Sequence, residues 1–237
     1  MLEIRGLEKT YGGTKKAVCG IDLSIADGEI FGFIGHNGAG KTTTIKCVVG
    51  ILPFEKGEIY IDGKNIKDHS LECKKITAYI PDNPDLYELL TGIQYLNFIS
   101  DLYEISVEDR KARIFKYADM FDLSKNLGDL IQSYSHGMKQ KLALISALIR
   151  KPKLLILDEP FVGLDPKAAH EVKEVMKEMC NEGTSIFFST HVLEVAEKLC
   201  DKVAIIKDGY IVSTGTMEEV KGNKSLEDVF LELEDHE

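Results

Sequence analysis

The strongest constraint on the fold is a glycine-rich loop that lies between an apolar run and a helix-like segment. Residues 30–34 are apolar apart from one glycine, and the loop after them closes with Gly40, Lys41 and Thr42. Its spacing, G-x-x-x-x-G-K-[ST], is that of a phosphate-binding loop between a strand and a helix. Glycines let such a loop turn its backbone N–H groups inward, and the helix start adds a positive dipole end. We therefore predict nucleotide phosphate binding by Gly35, His36, Asn37, Gly38, Ala39, Gly40, Lys41, Thr42 and Thr43.

Three side chains near this loop have chemistry that suits ATP. Lys41 supplies a mobile cation for the terminal phosphates, and the hydroxyl of Thr42 is a ligand for Mg²⁺. Tyr11 stands just before the turn Gly12-Gly13. It is either an ordinary turn tyrosine or a flat ring on which adenine stacks, and the residues alone leave both readings open.

A second group of polar residues follows two apolar runs further along the chain. Asp158 and Glu159 come directly after Leu154–Leu157, and His191 follows the run 184–189. Open α/β sheets bind ligands beyond the carboxyl ends of their strands, so we expect these side chains near the phosphate loop. Asp158 can hold Mg²⁺ through water, and Glu159 can polarise the attacking water in phosphoryl transfer. His191 could hydrogen-bond the γ-phosphate.

The pattern of apolar residues divides the chain into regions. Short β-like runs occupy residues 2–34, and the pairs Gly12-Gly13 and Asp27-Gly28 between them are typical of hairpin turns. Helical periodicity replaces the strand pattern in the middle of the chain, and alternating strands and helices then resume. We predict one domain over 1–237, made of an α/β core (1–84 and 151–223), an all-helical insert (85–150) and a short acidic tail (224–237).

Composition narrows the function classes. The chain of 237 residues carries 29 Lys and Arg against 39 Asp and Glu, a net charge of −10, which argues against a nucleic-acid binder. No apolar run reaches the roughly 18–20 residues needed to cross a bilayer. The first residues lack a signal-peptide pattern, and the five cysteines lack C-x-x-C spacing. We expect free thiols and a cytoplasmic location.

One further motif, Ser135–Gln140, resembles the start of a helix, and its residues alone do not show what it contacts. Ser135 is placed to cap a helix, and Gly137 lets another group approach the backbone closely. With the other motifs in the same order, this stretch identifies a resemblance, over nearly the whole chain, to the ATP-binding cassette, the nucleotide-binding subunit of ABC transporters. The family's signature then falls on Ser135, His136, Gly137, Met138, Lys139 and Gln140, and its dimer loop on Gly163, Leu164 and Asp165.

The resemblance implies a fold and a mechanism. The fold is a P-loop NTPase (RecA-like) α/β core with an N-terminal antiparallel β subdomain and a helical insert subdomain. Two cassettes form a head-to-tail dimer and sandwich ATP between the phosphate loop of one subunit and the signature of the other. Glu159 is implied as the catalytic base, assisted by His191, Lys41 and Asp82. Mg²⁺ is implied at Thr42, Asp158 and Asp82.

The resemblance also implies partners and a location. Transmembrane permease subunits would dock near Asp82–Leu90, so the chain would lie on the inner face of the cell membrane, peripheral to it. No nucleic-acid partner is expected. The dimer partner is a second copy or a sister cassette, and the transported molecule is not encoded in the cassette.

Two features depart from the usual family pattern. Asp82 stands where most members have Gln, and His136 and Met138 replace the usual Gly and Gln of the signature. These changes are similar to those in exporter-type bacterial cassettes whose permease is a separate chain. Two alternatives stay open, namely a soluble DNA- or ribosome-associated cassette and a catalytically idle regulatory one. The short insert and the acidic charge disfavour the first, and Glu159 with His191 disfavours the second.

Overall fold

The computed structural model describes residues 1–235, which form two β-sheets and surrounding helices. The strands are β1 (Leu2–Tyr11), β2 (Lys15–Ile25), β3 (Ile30–Ile34), β4 (Lys56–Ile61), β5 (Lys64–Asn65), β6 (Thr77–Ile80), β7 (Leu154–Asp158), β8 (Ser185–Thr190), β9 (Lys202–Lys207) and β10 (Tyr210–Thr216). The described helices are α1 (Lys41–Val48), α2 (Ser70–Ile76), α3 (Gly92–Leu102), α4 (Val107–Met120), α5 (His136–Leu148), α6 (Pro166–Asn181), α7 (Leu193–Leu199), α8 (Met217–Lys221) and α9 (Leu226–Asp235).

The N-terminal sheet is antiparallel, with the order β2-β1-β4-β5. The predicted hairpin at Gly12-Gly13 is confirmed, because β1 and β2 pair across it and both glycines have positive φ. β4 and β5 turn at Asp62 (φ 51°) and Gly63 (φ 73°), a pair of positive φ angles that suits tight hairpins. The inward faces of β1 and β4 bury their isoleucines and Leu2.

The central sheet has the order β10-β9-β3-β8-β7-β6 and is parallel except for the β9–β10 hairpin. The second predicted hairpin, at Asp27-Gly28, is wrong. β3 leaves β2 and enters the central sheet between β8 and β9. All five residues of β3 are buried, and a strand covered on both faces belongs in the middle of a parallel sheet rather than at the end of a hairpin.

The middle of the chain folds into three α-helices with short 3₁₀ turns, and one isolated bridge joins Thr91 to Leu130. Thr91 and Ser106 cap α3 and α4 with their hydroxyls. α5 is buried along most of its length and packs against β6 and α4, which fixes this helical region on the central sheet.

The C-terminal segment is helical as far as it is described. α9 packs against α7, and Leu226 at its start is fully buried in the core. The last two residues of the predicted acidic tail lie outside the described residues. Within 1–235, no helix combines the length and the apolar character that a membrane span requires.

Candidate functional site

The phosphate loop occupies the connection between β3 and α1. Gly40 has φ 114°, and a Cβ atom there would lie 2.6 Å from the carbonyl oxygen of Ala17. A Cβ atom on Gly35 would lie 2.5 Å from the carbonyl oxygen of Ile206. Side chains at these two positions would collide with the β2 and β9 backbones, so glycine is required for steric reasons at both ends of the loop.

The Lys41 ammonium group lies inside the loop. The side chain is only 6% exposed, and Nζ donates to the carbonyl oxygens of Gly35 at 2.6 Å and His36 at 3.2 Å. It also lies 3.4 Å from Oε1 of Glu159, which brings the two halves of the predicted site together. A buried cation held by backbone carbonyls is placed to move onto phosphate oxygens when they enter the loop.

Asp158 ends β7, and β8 separates this strand from β3. The carboxyl group is 1% exposed, and its Oδ1 accepts a 2.5 Å hydrogen bond from Oγ of Ser189. Oδ2 is buried and has no hydrogen-bond partner among the described residues. Burial raises the pKa of Asp158, and the hydroxyls of Ser189 and Thr42 partly oppose this effect. An unpaired carboxylate oxygen beside a threonine hydroxyl is the donor set that Mg²⁺ prefers, so these residues fit the ion.

Glu159 lies between a cation and an imidazole. Its Oε2 is 3.0 Å from Nδ1 of His191, and Oε1 faces Lys41. The backbone has a positive φ of 50°, and its N–H donates to Oγ of Ser189 at 3.1 Å. The strained backbone turns the carboxylate away from the strand direction and towards the loop. At 14% exposure the side chain is shielded but reachable by water.

Lys41, Thr42 and Glu159 border a cleft of about 540 Å³. Asp158 and His191 do not line it but contact lining residues, Asp158 through Thr42 and His191 through Glu159. Tyr11 is 42% exposed at its edge, with its hydroxyl 3.4 Å from Oγ1 of Thr43. Asp82 is exposed on the same cleft, and its negative charge contributes to the raised pKa of Asp158. The lining residues are Tyr11, Lys15, Lys16, Ala17, His36, Asn37, Gly38, Gly40, Lys41, Thr42, Thr43, Asp82, Glu159, Asp208 and Gly209.

Several residues of this cleft were missed by sequence analysis. Lys15 and Lys16 follow the Gly12-Gly13 turn, and two cations close to Tyr11, the candidate adenine contact, were a usable signal. Asp208 and Gly209 form the turn between β9 and β10, and an Asp-Gly pair predicts a hairpin turn rather than a binding site. Ser189 orients both Asp158 and Glu159, yet a serine inside an apolar strand carries no signal of its own.

The signature residues lie apart from this cleft, because none of them lines it. Ser135 caps α5 by accepting from the N–H of Met138 at 3.3 Å. A Cβ atom on Gly163 would lie 2.5 Å from the His136 ring, so the signature packs directly on the predicted dimer loop. Lys141 and Asp165 strengthen this contact with an ion pair of 3.1 Å.

One part of the signature prediction needs correction. Gln140 is fully buried, and neither of its amide atoms has a hydrogen-bond partner among residues 1–235. It lies one helical turn before buried Leu144, on the side of α5 that faces the core. The predicted contact with a partner's ATP therefore stops short of Gln140. Lys139 pairs instead with Glu88.

Asp158 gives the stability of the protein a pH dependence. Because its pKa is raised in the folded state, the folded protein binds the proton more tightly, and stability falls as pH rises above the ordinary aspartate pKa of about 4. Without Mg²⁺, Asp158→Asn is expected to unfold at a higher temperature than the wild type at pH 8, and the difference should shrink towards pH 4. Thermal unfolding across this range measures it.

Asp165→Asn is the control with the opposite sign. The N–H of Ala168 and the Lys141 ammonium lower the pKa of Asp165, so its contribution is present at neutral pH and is lost as pH falls. This variant should unfold at a lower temperature than the wild type at pH 8. If the melting temperatures of the wild type and Asp158→Asn differ by the same amount at every pH, Asp158 is not the source of this pH dependence.

Comparisons with known proteins agree with this geometry. Residues 18–162 match the family model described as ABC transporter. The chain is 35% identical over 216 residues to the linearmycin resistance ATP-binding protein LnrL of Bacillus subtilis, a match that covers 91% of this chain and 69% of LnrL. It is 36% identical to the ABC-type transporter ATP-binding protein EcsA of the same organism, covering 98% of this chain and 96% of EcsA.

Solved structures share the same architecture. The ATP-binding subunit of an ABC transporter superposes with a TM-score of 0.95 at 34% identity, covering 99% of this chain and 100% of that one. A dimeric ATP-binding cassette in a post-hydrolysis state, bound to ADP and Pi, superposes with a TM-score of 0.83 at 23% identity, covering 92% of this chain and 99% of that one. The second comparison shows the fold alone.

Proposed function

Since this chain belongs to the ABC transporter ATP-binding family, whose members are ATPases, we propose that it powers a separate membrane permease and that the transport is export. The observation that carries the proposal is the arrangement at the cleft. Glu159 stands between Lys41 and His191, next to a loop built for phosphate. The resistance named for LnrL supports the direction of transport.

Residues in and beside the cleft have separate roles in ATP hydrolysis. The N–H groups of the loop and Lys41 bind the phosphates, and Tyr11 offers a face to the adenine. Thr42, Asp158 and Asp82 would hold Mg²⁺, which when bound neutralises phosphate charge. Glu159 accepts a proton from the attacking water, and His191 holds the Glu159 carboxylate in position from the other side.

The signature surface is the proposed site of dimerisation. Ser135 and His136 are exposed at the N-terminus of α5, where N–H groups and the helix dipole attract a phosphate from a partner subunit. The dimer loop at Gly163–Asp165 lies against the same residues. Each subunit would thus complete the ATP site of the other.

Gly137→Asp is expected to abolish dimerisation induced by Mg·ATP. The new carboxylate repels phosphate, and its Cβ would lie only 3.0 Å from the carbonyl oxygen of Gly163. Gly128→Asp is the matched control, because Gly128 is exposed and an added Cβ there has no atom of the described residues within 4 Å. Size-exclusion chromatography with ATP separates the outcomes. If Gly137→Asp still forms a normal dimer, the signature does not belong to the dimer interface.

A depression lined mostly by apolar side chains marks the proposed permease site. Leu86–Leu90 and Phe98, together called the docking patch, line an almost wholly apolar depression of about 540 Å³. Leu89 is 83% exposed, and the Tyr87 and Phe98 rings pack edge to face at 5.6 Å. Exposed apolar patches of this kind are typical of protein–protein contacts. Docking here would hold the chain at the inner face of the membrane.

Two measurements test the proposal. The tagged chain, purified from membranes of its native host, should bring down one permease, and the Leu89→Asp variant should fail to recover it. Cells without the chain should become more sensitive to toxic peptides, antibiotics or lipids. Recovery of the chain with ribosomes or DNA in place of a permease would overturn the transport function, and lost uptake with unchanged sensitivity would overturn export.

A further inference from the structure

Ser189 lies near the end of β8, in the middle of the central sheet, and is fully buried. Residues at alternate positions of a strand share one face, so Ser189 lies on the same face as Phe187, which is packed in the apolar core. In the register of the sheet, Ser189 stands beside Asp158 on one side and Phe33 on the other. A hydroxyl group buried at such a position needs hydrogen-bond partners, and those partners define what it does.

The hydrogen bonds of the Ser189 hydroxyl have fixed directions. The backbone N–H of Glu159 can only donate, so Oγ accepts from it at 3.1 Å. The single hydroxyl proton then goes to Oδ1 of Asp158, at 2.5 Å, because an ionised carboxylate can only accept. One hydroxyl therefore joins both acidic residues in a chain from the Glu159 peptide to the Asp158 carboxylate, and the bonds of such a chain polarise one another.

The bond to Ser189 holds a strained part of the backbone. The β7–β8 ladder ends at the pair Asp158–Ser189, so Glu159 is the first residue beyond it. The φ angle of Glu159 is 50°, which an L-residue adopts only under constraint from its surroundings. The Ser189 hydroxyl supplies a constraint of this kind at the N–H of the strained residue itself.

The direction of the Glu159 carboxylate depends on this backbone. Its Oε1 lies 3.4 Å from Nζ of Lys41, and its Oε2 lies 3.0 Å from Nδ1 of His191. A relaxation of φ to a negative value would turn the Cα–Cβ bond and carry the carboxylate away from both partners. A general base must lie within hydrogen-bond reach of the proton that it takes, so this backbone angle matters for catalysis.

We propose that Ser189 is a positioning residue for ATP hydrolysis, whose hydroxyl holds the Glu159 backbone in the conformation that directs the carboxylate at the attacking water. Ser189 does not line the cleft, so it acts through Glu159 rather than on ATP. Because the same hydroxyl binds Asp158, it also fixes the base relative to a proposed Mg²⁺ ligand. The inference rests on the proposed role of Glu159 as the base and adds the residue that places it.

Ser185 offers a matched control in the same strand. It is also fully buried, and its Oγ accepts from the N–H of Gly28 at 3.0 Å and donates to the carbonyl oxygen of Ala26 at 2.9 Å. It pairs with Leu154 at the opposite end of the β7–β8 ladder, about 13 Å from Ser189 at the rise of a β-strand. Ser185→Ala and Ser189→Ala thus each remove one buried hydroxyl with two hydrogen bonds, and only the second lies at the site.

Steady-state kinetics of the purified chain test the proposal. Ser189→Ala should lower kcat roughly 10–100-fold, since displacement of a catalytic group by about 1 Å has an effect of this size. The KM for ATP should stay close to that of the wild type, because Lys41 keeps its contacts in the phosphate loop. Ser185→Ala should keep both constants, although its melting temperature should fall as much as that of Ser189→Ala. Ser189→Thr retains the hydroxyl and should recover most of the kcat, and equally low turnover of the Thr and Ala variants overturns the proposal.

Hydrogen exchange gives a readout that does not depend on turnover. In the nucleotide-free chain, the amide of Glu159 should be protected by its bond to Ser189, and this protection should be lost in Ser189→Ala and kept in Ser185→Ala. NMR spectroscopy of the ¹⁵N-labelled chain measures the exchange of this single amide. Equal protection of the Glu159 amide in the wild type and Ser189→Ala overturns the proposal.

A double-mutant cycle shows whether Ser189 acts through the base. In the Glu159→Gln background, Ser189→Ala should change the residual turnover less than about twofold, because the group that it positions is already gone. The same loss in both backgrounds overturns the proposal, as Ser189 would then act on another group. Normal turnover of Ser189→Ala beside an inactive Glu159→Gln overturns this inference alone. Normal turnover of Glu159→Gln overturns the role of Glu159 as the base and this inference with it.

Discussion

Glu159→Gln is expected to lower ATP turnover at least a hundredfold while ATP binding is retained. General bases contribute roughly 10²–10⁴-fold to such reactions, and glutamine cannot accept the proton of the attacking water. The variant should accumulate with ATP in the closed state and shift to a stable dimer. A steady-state ATPase assay beside size-exclusion chromatography with Mg·ATP measures both effects.

The structure predicts that this variant folds normally. Lys41 loses a carboxylate at 3.4 Å but keeps the carbonyl oxygens of Gly35 and His36, so no unpaired buried cation results. The glutamine side chain is of the same size and retains an oxygen for His191. The loss of activity is therefore expected without a fall in melting temperature.

Glu194→Gln serves as the control for the loss of one negative charge. Glu194 is exposed on α7, pairs with Lys198 and does not line the cleft, so its variant should hydrolyse ATP like the wild type. Unchanged hydrolysis by a monomeric Glu159→Gln would show that Glu159 is not the base. An obligate sister cassette or a regulatory role would then be the leading interpretation.

Gly40→Ala is expected to abolish ATP binding and to destabilise the protein by roughly 2–6 kcal/mol, as backbone strain and overpacking add. The residue has φ 114°, and its Cβ would lie 2.6 Å from the carbonyl oxygen of Ala17. Relief of the clash requires the loop to move away from β2, which turns its N–H groups away from the phosphates. Denaturant unfolding and equilibrium binding of ATP measure the two effects.

Gly38→Ala separates backbone strain from steric clash. Gly38 has φ 89°, but an added Cβ there would have no atom of residues 1–235 within 4 Å. This variant should be destabilised only by the strain of one unfavourable φ, roughly 1–3 kcal/mol, and should still bind ATP. If Gly38→Ala and Gly40→Ala lose ATP binding equally, the close approach of Gly40 to the Ala17 carbonyl oxygen does not determine the position of the loop.

Much of the candidate site could be predicted because its functional residues lie in short segments with characteristic spacing. The spacing from Gly35 to Thr42 allows few other structures, and an apolar run ending in Asp158 and Glu159 marks the end of a buried strand. The helical region was also visible as a change of periodicity. Local sequence signals suffice where one segment carries both the backbone shape and the functional groups.

Prediction failed where distant segments decide the outcome. Asp27-Gly28 resembles a hairpin turn, but β3 is covered on both faces and belongs to the other sheet. Gln140 lies in a motif yet faces the core, because α5 packs on the sheet along that side. Ser189 orients two acidic residues from a neighbouring strand, a relation that has no local pattern.

The sequence by itself determined the phosphate loop, the acidic strand end and the family, since each depends on residue types at fixed spacing. Only the tertiary structure decided how these parts meet. The pairing of Glu159 with Lys41 and His191, the contact of His136 with Gly163 and the hydrogen bond from Arg150 to the carbonyl oxygen of Thr77 each join residues more than twenty positions apart in the chain. Such contacts follow from strand order and helix packing, which depend on how the whole chain buries its apolar surface.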